Sequence, residues 1–382
     1  MTGNARNLRY LLIAVVVVVV VALIWWYARN PAGPPTKKTI KIGAVLPLTG
    51  EAAKYGDSSR KAIDQAVSEI NDAGGVHGSS LAVVYEDDQA TAAKGVSAFM
   101  KLVTVDKVPA VIGALPSSVT LAIAPIANKN KVVLLSPMSS NPQITSSGEY
   151  IFRNCISDTY EGAEMAKYAS GKLDLKSIAI LYINNDYGVG LRDVFTKAFS
   201  AAGGKIITSE AFNQGATDFR AQLTKIKAAN PDGVYIVGYN EMIVIFRQIK
   251  QLGLKGQMLS TIMLNDQGLV DKMGGTADGT ILTAWAFDPA SKDAAIIKFV
   301  KAYKAKYGGA PDVFAAQAYD ALKLIAKAMT DVGSTTTDIK KGLYGIKDYP
   351  GAAGVTSFDS NGDVAKPLRF LRISLGAFIS VE

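Results

Sequence analysis

Apolar runs of strand length alternate with helix-length amphipathic segments from Ile40 onward, and this alternation constrains the fold more than any other feature. The first series contains four candidate strands, IKIGAVLPL, LAVVYEDD, VPAVIGAL and VVLLSP. The segments between them repeat apolar residues at helical spacing and end at Gly or Asn. Strands that alternate with helices indicate a parallel sheet with helices on both faces. The chain is therefore predicted to be an α/β protein.

The same alternation starts again after Arg153, with the candidate strands SIAILYIN, KIITSEAF, GVYIVGY, QMLSTIML and GTILTAWA. Two such series predict two similar lobes rather than one oversized sheet. The length of 382 residues and a hydrophobic fraction of 49% are sufficient for two cores. After Asp288 the chain is more helical, and Asn361-Gly362 predicts a turn between extended runs.

The N-terminal segment contains an uncharged run, Tyr10–Ala28, which as a helix would be about 28 Å long. That length nearly matches a hydrocarbon core of about 30 Å. A cleavable signal peptide is the alternative, but no small-x-small cleavage site follows Trp25. Residues 1–39 are therefore predicted to be an uncleaved transmembrane anchor followed by a Pro-rich tether.

The formal net charge of +8 is concentrated at the N-terminus, because five basic and no acidic residues precede residue 39. The remainder has 36 basic against 33 acidic side chains and shows no basic stripe with interleaved aromatics. Nucleic acid is therefore not expected as a partner. The single cysteine, Cys155, excludes an intramolecular disulfide and a cysteine-built zinc site.

Catalytic and cofactor motifs are weak in this sequence. The single histidine, His77, lies in a Gly-rich loop, where exposure is expected, and it offers neither a triad nor a metal cluster. The stretch DYGVGLRD has the first two glycines of a dinucleotide fingerprint, but Asp193 occupies the place of the third. A carboxylate there would repel a pyrophosphate. No enzymatic activity, cofactor or metal is predicted.

Hydroxyl and aromatic side chains follow several predicted strands. In VIGALPSSVT, Ser117 and Ser118 come after an apolar run and a proline, where a helix is expected to begin. Such serines are either plain helix caps or part of a carboxylate or phosphate socket. Tyr187 and Tyr239 also follow strands, and ligands of open parallel sheets bind beyond the carboxyl ends of strands. These positions predict a shared cleft, whereas each tyrosine taken singly is as compatible with ordinary packing.

The region from Ile40 to near Glu382 resembles the type I periplasmic solute-binding proteins of ABC importers, of the leucine/isoleucine/valine-binding group. The resemblance rests on PLTG…YGDSSRKAIDQAVSEINDAGGVHGSSL, VIGALPSSVT, LLSPMSSNPQIT, NDYGVGL and VGYNEM…FRQIKQLGL, in the family's order and spacing. It implies two Rossmann-like lobes, 40–156 plus 287–361 and 157–286 plus 362–382. It also implies a hinge of three crossings, near Asn154–Ser157, Ala286–Asp288 and Asp359–Asp363.

The resemblance further implies a set of ligand-binding residues. Ser117, with neighbouring helix N–H groups including that of Ser118, would hold a ligand carboxylate. The Met138 carbonyl and the Ser140 hydroxyl, with Ser139 between them, would meet an ammonium group. The remaining members of the set would line or close the cavity, and they are Leu115, Pro116, Tyr187, Tyr239, Tyr55 and Phe314.

One position departs from the family pattern. The amino-acid binders place a glutamate against the ligand ammonium, and this sequence has Ile262 there. A buried ammonium without a carboxylate partner is costly. Either Asp266 or another acid substitutes, or the ligand has no ammonium group.

The resemblance implies a solute-binding protein on the periplasmic or extracellular face of the membrane. It would bind a small carboxylate, foremost a branched-chain or other apolar amino acid, and deliver it to ABC permease subunits. An apolar or aromatic carboxylate without an ammonium is the alternative ligand. A sensor domain that acts through a partner chain is a further alternative. A dehydrogenase-like enzyme would need a nucleotide site and an acid/base group, and both are weak here.

Overall fold

The computed structural model describes residues 4–29 and 38–381. The chain forms two compact units, Met1–Thr39 and Ile40–Glu382. The first unit contains helix α1, Asn4–Arg29. The predicted tether, Arg29–Thr39, falls mostly on residues 30–37, which lie outside the described residues.

The prediction of a transmembrane anchor is not supported by the structure. Within the described residues, no helix combines the length and the apolar character needed to cross a membrane.

The first sheet of the Ile40–Glu382 unit has five strands in the order β2-β1-β3-β4-β5. The β1–β3, β3–β4 and β4–β5 pairs are parallel. The strands are β1 Thr39–Leu46, β2 Ser80–Asp87, β3 Ala110–Ile112, β4 Val133–Ser136 and β5 Ile151–Arg153. The helices that alternate with them are α2 Ala53–Asp72, α3 Ala92–Thr104 and α4 Ser117–Asn130. Every residue of β3 and β4 is buried, as expected of parallel strands covered on both faces.

The second sheet has seven strands in the order β14-β13-β10-β9-β8-β6-β7. Its central strands pair in parallel, and two antiparallel strands are added at one edge. The strands are β6 Ser177–Ile183, β7 Lys205–Phe212, β8 Gly233–Val237, β9 Gln257–Ser260, β10 Ile281–Ala284, β13 Arg369–Ser374 and β14 Ala377–Ser380. The helices in this part are α5 Asp158–Gly171, α6 Asp186–Ala201, α7 Arg220–Ala229, α8 Met242–Leu252 and α9 Gln267–Met273.

The segment after β10 is mainly helical, as the sequence predicts. Its helices are α10 Ala294–Tyr307, α11 Val313–Asp331 and α12 Thr336–Gly345, and a small antiparallel pair follows, β11 Tyr349–Gly351 and β12 Gly354–Thr356. Helix α11 is buried along most of its length and packs against α2, which follows β1 of the first sheet. Helix α11 follows β10 of the second sheet along the chain and packs on α2 beside the first sheet. This helical segment therefore links the two sheets.

All nine strands predicted from apolar runs are confirmed, and so are the helices predicted between the strands of the first series. Strand β5 is missed, because only two of its residues are apolar and the charged Arg153 follows them. Strands β11, β12 and β14 are also absent from the predicted apolar runs. Asn361-Gly362 lies at a turn, and Gly362 has a φ of 76°. The runs that flank this turn meet at one isolated bridge, between Phe358 and Val364, rather than as a hairpin.

The three segments predicted as crossings lie between elements of different sheets. Asn154–Ser157 joins β5 to α5, Ala286–Asp288 follows β10, and Asp359–Asp363 lies between β12 and β13. The lobe boundaries themselves stay a prediction.

Candidate ligand-binding cleft

A cavity lies where the carboxyl ends of the two sets of parallel strands face each other. It contains about 530 Å³ of empty space, including its mouth. One wall comes from elements of the first sheet and includes Pro47, Tyr55, Ser117 and Ser140. The opposite wall comes from elements of the second sheet and includes Tyr187, Tyr239, Ile262, Met263 and Trp285.

Ten of the twelve residues predicted to bind a ligand line this cavity, namely Tyr55, Leu115, Pro116, Ser117, Met138, Ser140, Tyr187, Tyr239, Ile262 and Phe314. Ser118 and Ser139 are not among the lining residues, and their role in ligand binding stays a prediction. The sequence analysis missed five lining residues, Pro47, Ala52, Ala90, Met263 and Trp285. Their small or apolar side chains carry no motif that would have distinguished them from core residues.

Ser139 instead holds the loop between β3 and α4 in position. Its hydroxyl bonds to the Ala114 carbonyl at 3.0 Å and to the Leu115 carbonyl at 3.1 Å. The same hydroxyl contacts Thr120 Oγ1 at 2.7 Å, and Thr120 Oγ1 accepts a bond from the Ala114 N–H. Ser136 Oγ also donates to the Ala114 carbonyl, at 2.7 Å. These buried hydroxyls fix the backbone that leads to Ser117.

Ser117 is the first residue of α4 rather than its cap. Pro116 occupies the cap position, and no side chain caps this helix end. Within the described residues the N–H groups of Ser117 and Ser118 donate to no protein acceptor. The Ser117 hydroxyl accepts a bond from the Asn141 N–H at 3.2 Å. Ser118 is half-buried and turned away from the cavity lining. A hydroxyl and free helix N–H groups therefore meet at one point of the wall.

Four aromatic rings enclose the cavity in two pairs. The Tyr55 and Phe314 centroids are 4.4 Å apart, and the Tyr187 and Tyr239 rings stack with centroids 5.5 Å apart. The Tyr187 hydroxyl bonds to Thr261 Oγ1 at 2.9 Å. Burial is the main cause that raises the pKa of both Tyr187 and Tyr55 well above the usual value. Both phenols are therefore neutral hydrogen-bonding groups at neutral pH.

Glycine allows the Tyr187 helix to start directly at the end of β6. A Cβ on Gly188 would lie 2.0 Å from the Ile183 carbonyl oxygen, so only glycine permits this approach. The DYGVG motif thus serves a tight strand-to-helix turn with Tyr187 on the cavity side. Gly188 therefore has a structural role that does not require a nucleotide site.

Hydrogen bonds join the two walls of the cleft. The Tyr55 hydroxyl bonds to Asn240 Oδ1 at 3.0 Å, and Asn240 Nδ2 donates to the Glu51 carbonyl at 2.8 Å. Asn141 Nδ2 donates to the Asp186 carbonyl at 2.5 Å. A salt bridge connects Lys54 and Asp266 at the rim. The structure is therefore that of a cleft closed over its cavity.

A buried arginine fixes the loop that carries Ser140. Arg153 is fully buried and forms a bidentate pair with Asp363, both distances being 2.7 Å. Its Nη1 donates to the carbonyls of Ser140 and Asn141 at 3.0 and 2.9 Å. The sequence analysis did not identify Arg153, because its partner Asp363 is distant in sequence.

Asp266, which the sequence analysis names as a substitute for the glutamate expected at Ile262, does not line the cavity. Its carboxylate pairs with Lys54 and accepts a bond from the Leu269 N–H at 3.2 Å. The acid nearest to Ile262 is instead Glu161 of α5, whose Oε1 accepts the Ile262 N–H at 3.0 Å. Glu161 also accepts bonds from Thr283 Oγ1 at 2.6 Å and from the Trp285 indole at 3.3 Å.

A second acid of α5 lies beside Glu161. Asp158 is fully buried, and in the described structure neither of its carboxylate oxygens has a hydrogen-bond partner. Its N–H donates to the carbonyl of Ser140, a lining residue, at 2.8 Å. Burial and then the neighbouring Glu161 raise the pKa of Asp158 well above its usual value, while Ser140 and Arg153 oppose the rise. In the sequence, Asp158 and Glu161 are marked only by their position: both lie in the first turn of a helix that directly follows the predicted crossing Asn154–Ser157.

Cys155 and His77 take no part in the cleft. Cys155 is buried with its thiol 3.5 Å from the Ser139 carbonyl, and burial raises its pKa to about 12. His77 is exposed, and its ring nitrogen lies 3.2 Å from the Met329 carbonyl. Across the residues that the structure describes, no cluster of His, Cys, Asp or Glu could hold a metal ion.

Comparison with known proteins identifies the family. The model of the periplasmic binding protein family matches residues 39–377. A leucine-, isoleucine-, valine-, threonine- and alanine-binding protein of Pseudomonas aeruginosa is 32% identical over 329 residues, 85% of this chain and 87% of the relative. A leucine-binding protein structure from Thermotoga maritima has a TM-score of 0.84 at 31% identity, covering 90% of this chain and 98% of that one.

A branched-chain amino acid transporter substrate-binding protein from Streptococcus pneumoniae, solved with isoleucine, has a TM-score of 0.82 at 32% identity. The match covers 89% of this chain and 98% of that one. These similarities extend over both sheets and the cleft between them. The chain therefore belongs to the periplasmic binding protein family and is a type I solute-binding protein of the leucine/isoleucine/valine-binding group.

Proposed function

We propose that this protein binds a branched-chain amino acid in the cleft and delivers it to the permease of an ABC importer. One observation carries the proposal. The N-terminus of α4, with its free N–H groups, and a set of apolar and aromatic side chains line the same closed cavity. The similar proteins also support the proposal, because two are named as binders of leucine or of several amino acids including leucine, isoleucine and valine, and the third was solved with isoleucine.

The N-terminus of α4 fits a ligand carboxylate. The Ser117 hydroxyl and the free N–H groups of Ser117 and Ser118 supply donors, and the helix dipole adds a partial positive charge. A carboxylate there satisfies N–H groups that the closed cleft otherwise leaves without an acceptor. Because hydrogen bonds to charged groups contribute about 1.5–3 kcal/mol each, this end of the cavity favours an anionic group.

The rest of the cavity fits a small apolar side chain. Tyr55, Phe314, Leu115, Ile262 and Met263 supply apolar surface around it. Burying a leucine-sized side chain contributes about 1.5–3 kcal/mol. The aromatic pairs on both walls set the size of the group that can be enclosed.

The two walls correspond to two lobes that we propose to span 40–156 plus 287–361 and 157–286 plus 362–382. They would open and close about the three segments between the sheets. The contacts of Tyr55 with Asn240 and of Lys54 with Asp266 are ones that opening would break. A closed, liganded form is the form that a permease would receive, on the outer side of the cytoplasmic membrane.

The test is a ligand panel measured by thermal shift and titration calorimetry on the full chain. The panel contains leucine, isoleucine and valine, together with 4-methylpentanoate and benzoate as carboxylates without an amino group. A ligand at 100 times its Kd stabilises the folded state by about 2.7 kcal/mol. We expect the three amino acids to raise the melting temperature. If benzoate or 4-methylpentanoate does so and no amino acid does, the proposal is wrong and the alternative ligand class is correct.

A further inference from the structure

The acids Asp158 and Glu161, both in the first turn of α5, form a buried carboxylate pair beneath the cleft. Both side chains are fully buried. The helix dipole is stabilised by negative charge near the N-terminus, but this effect does not require two buried carboxylates. Favourable charge at an exposed helix N-terminus contributes about 0.3–1 kcal/mol, whereas burying an unpaired carboxylate costs several kcal/mol. The pair therefore calls for a cationic partner.

The two acids differ in what they already bind. Glu161 accepts three hydrogen bonds, from the backbone of Ile262 and from the side chains of Thr283 and Trp285. Asp158 accepts none on either oxygen within the described structure. Glu161 is thus held in a fixed position by its donors, whereas Asp158 has free acceptor capacity.

Asp158 is placed next to the cavity rather than in a distant core. Its N–H bonds to the carbonyl of Ser140, and Ser140 lines the cavity. Tyr187 lines the opposite wall, and after burial the charges of Glu161 and Asp158 are the next causes that raise its pKa. Ser140 and Tyr187 therefore connect the two acids to both walls of the cavity.

We propose that Asp158, supported by Glu161, is the carboxylate that receives the ammonium group of the ligand, in place of the acid expected at Ile262. This inference rests on the proposed binding of an amino acid in the cleft. It makes the site selective for α-amino acids over carboxylic acids that lack the amino group. The ligand's two charged ends then face opposite partners, the α4 N-terminus and the α5 pair.

The test compares leucine with 4-methylpentanoate, which has the same carbon skeleton without the amino group, by calorimetry on the full chain. Wild type should prefer leucine by a hundredfold or more. In Asp158→Asn, leucine affinity should fall 30- to 100-fold while the affinity for 4-methylpentanoate stays level or rises. Asp57→Asn, which neutralises an exposed acid on α2, serves as the matched control and should change neither affinity.

Melting of the ligand-free variants separates recognition from folding. Asp158→Asn should leave the melting temperature level or raise it, because it removes a buried carboxyl group whose oxygens have no hydrogen-bond partner within the described structure. Glu161→Gln should lower it, because an amide cannot accept all three of the bonds that Glu161 accepts. If Asp158→Asn does not fold, the wild-type preference decides, and equal binding of the two ligands overturns the inference.

Two further outcomes would contradict the inference. A folded Asp158→Asn variant that binds leucine within threefold of wild type would show that Asp158 does not meet the ammonium. An equal loss of both ligands in that variant would show a structural role only. In both cases leucine binding by wild type would leave the proposed function intact. Failure of wild type to bind any amino acid would overturn the proposed function and this inference together.

Discussion

Replacing Ser117 by alanine tests the carboxylate site at the start of α4. The variant loses one hydroxyl from the cavity wall and keeps the N–H groups of Ser117 and Ser118. A charge-assisted hydrogen bond contributes about 1.5–3 kcal/mol, so leucine affinity should fall roughly ten- to hundredfold, at 1.4 kcal/mol per decade. Binding should weaken rather than vanish, because the backbone donors remain.

The same hydroxyl accepts the Asn141 N–H, so the variant should also lose stability. A buried donor without an acceptor costs about 1–3 kcal/mol of the free energy of unfolding. Urea unfolding of the ligand-free protein measures this loss separately from calorimetric binding. Ser118→Ala, next along the helix but outside the cavity lining, is the matched control and should change leucine affinity by less than twofold.

A second ligand isolates the charge. Leucinamide lacks the carboxylate, so it should bind wild type weakly and lose little further in Ser117→Ala. A double-mutant cycle over the two ligands and the two proteins gives the coupling between the hydroxyl and the carboxylate. If leucine and leucinamide lose affinity equally, or if the Kd for leucine is unchanged while stability falls, Ser117 only holds Asn141 and the carboxylate site is wrong.

Four further substitutions follow from the structure. Arg153→Met should lower the free energy of unfolding by about 3–5 kcal/mol in urea, because it removes one partner of a buried ion pair and leaves Asp363 without its cation, and a loss below 1 kcal/mol would contradict this. Ile262→Glu should lower the ligand-free melting temperature and give no gain in leucine affinity, because Glu161 already occupies that region; tighter binding would refute it. Burial raises the pKa of Asp88 to about 7, so its stabilising contribution, full below its unfolded pKa of 3.8, is lost as the pH rises through 7. Asp88→Asn should therefore be more stable relative to wild type at pH 8 than at pH 5, and a parallel pH profile would refute the assignment. Gly188→Ala should cost about 1–3 kcal/mol through overpacking, whereas Gly171→Ala, with no atom within 4 Å of the added Cβ, should cost nothing.

The sequence by itself determined the class of fold and several residues on each wall of the site. Buried parallel strands appear as short continuous apolar runs, and amphipathic helices repeat at 3.6 residues, so both are visible within a short window. The ends of those runs located Ser117, Ser140, Tyr187 and Tyr239, because parallel strands bring their carboxyl ends to one edge of a sheet. The same local reasoning missed β5, in which only two apolar residues precede the charged Arg153.

Only the tertiary structure decided which of the neighbouring serines face the cavity. Ser117 and Ser118 are adjacent in sequence, but one turn of α4 directs the first hydroxyl toward Asn141 and leaves the second outside the lining. Ser139 lies between two lining residues and points instead toward Ala114. Side-chain direction at a helix start or in a loop depends on the surrounding packing, which no local pattern encodes.

The acids of α5 show the same limit at longer range. Glu161 meets Ile262 across 101 positions of the chain, and Arg153 meets Asp363 across 210. These contacts exist because the order of the strands in two sheets, and the closure of one wall on the other, bring the first turn of α5 under the cleft. Charge compensation in a buried site depends on distances in space, so the partner of a missing glutamate could come from any element, and only the folded chain determines which one supplies it.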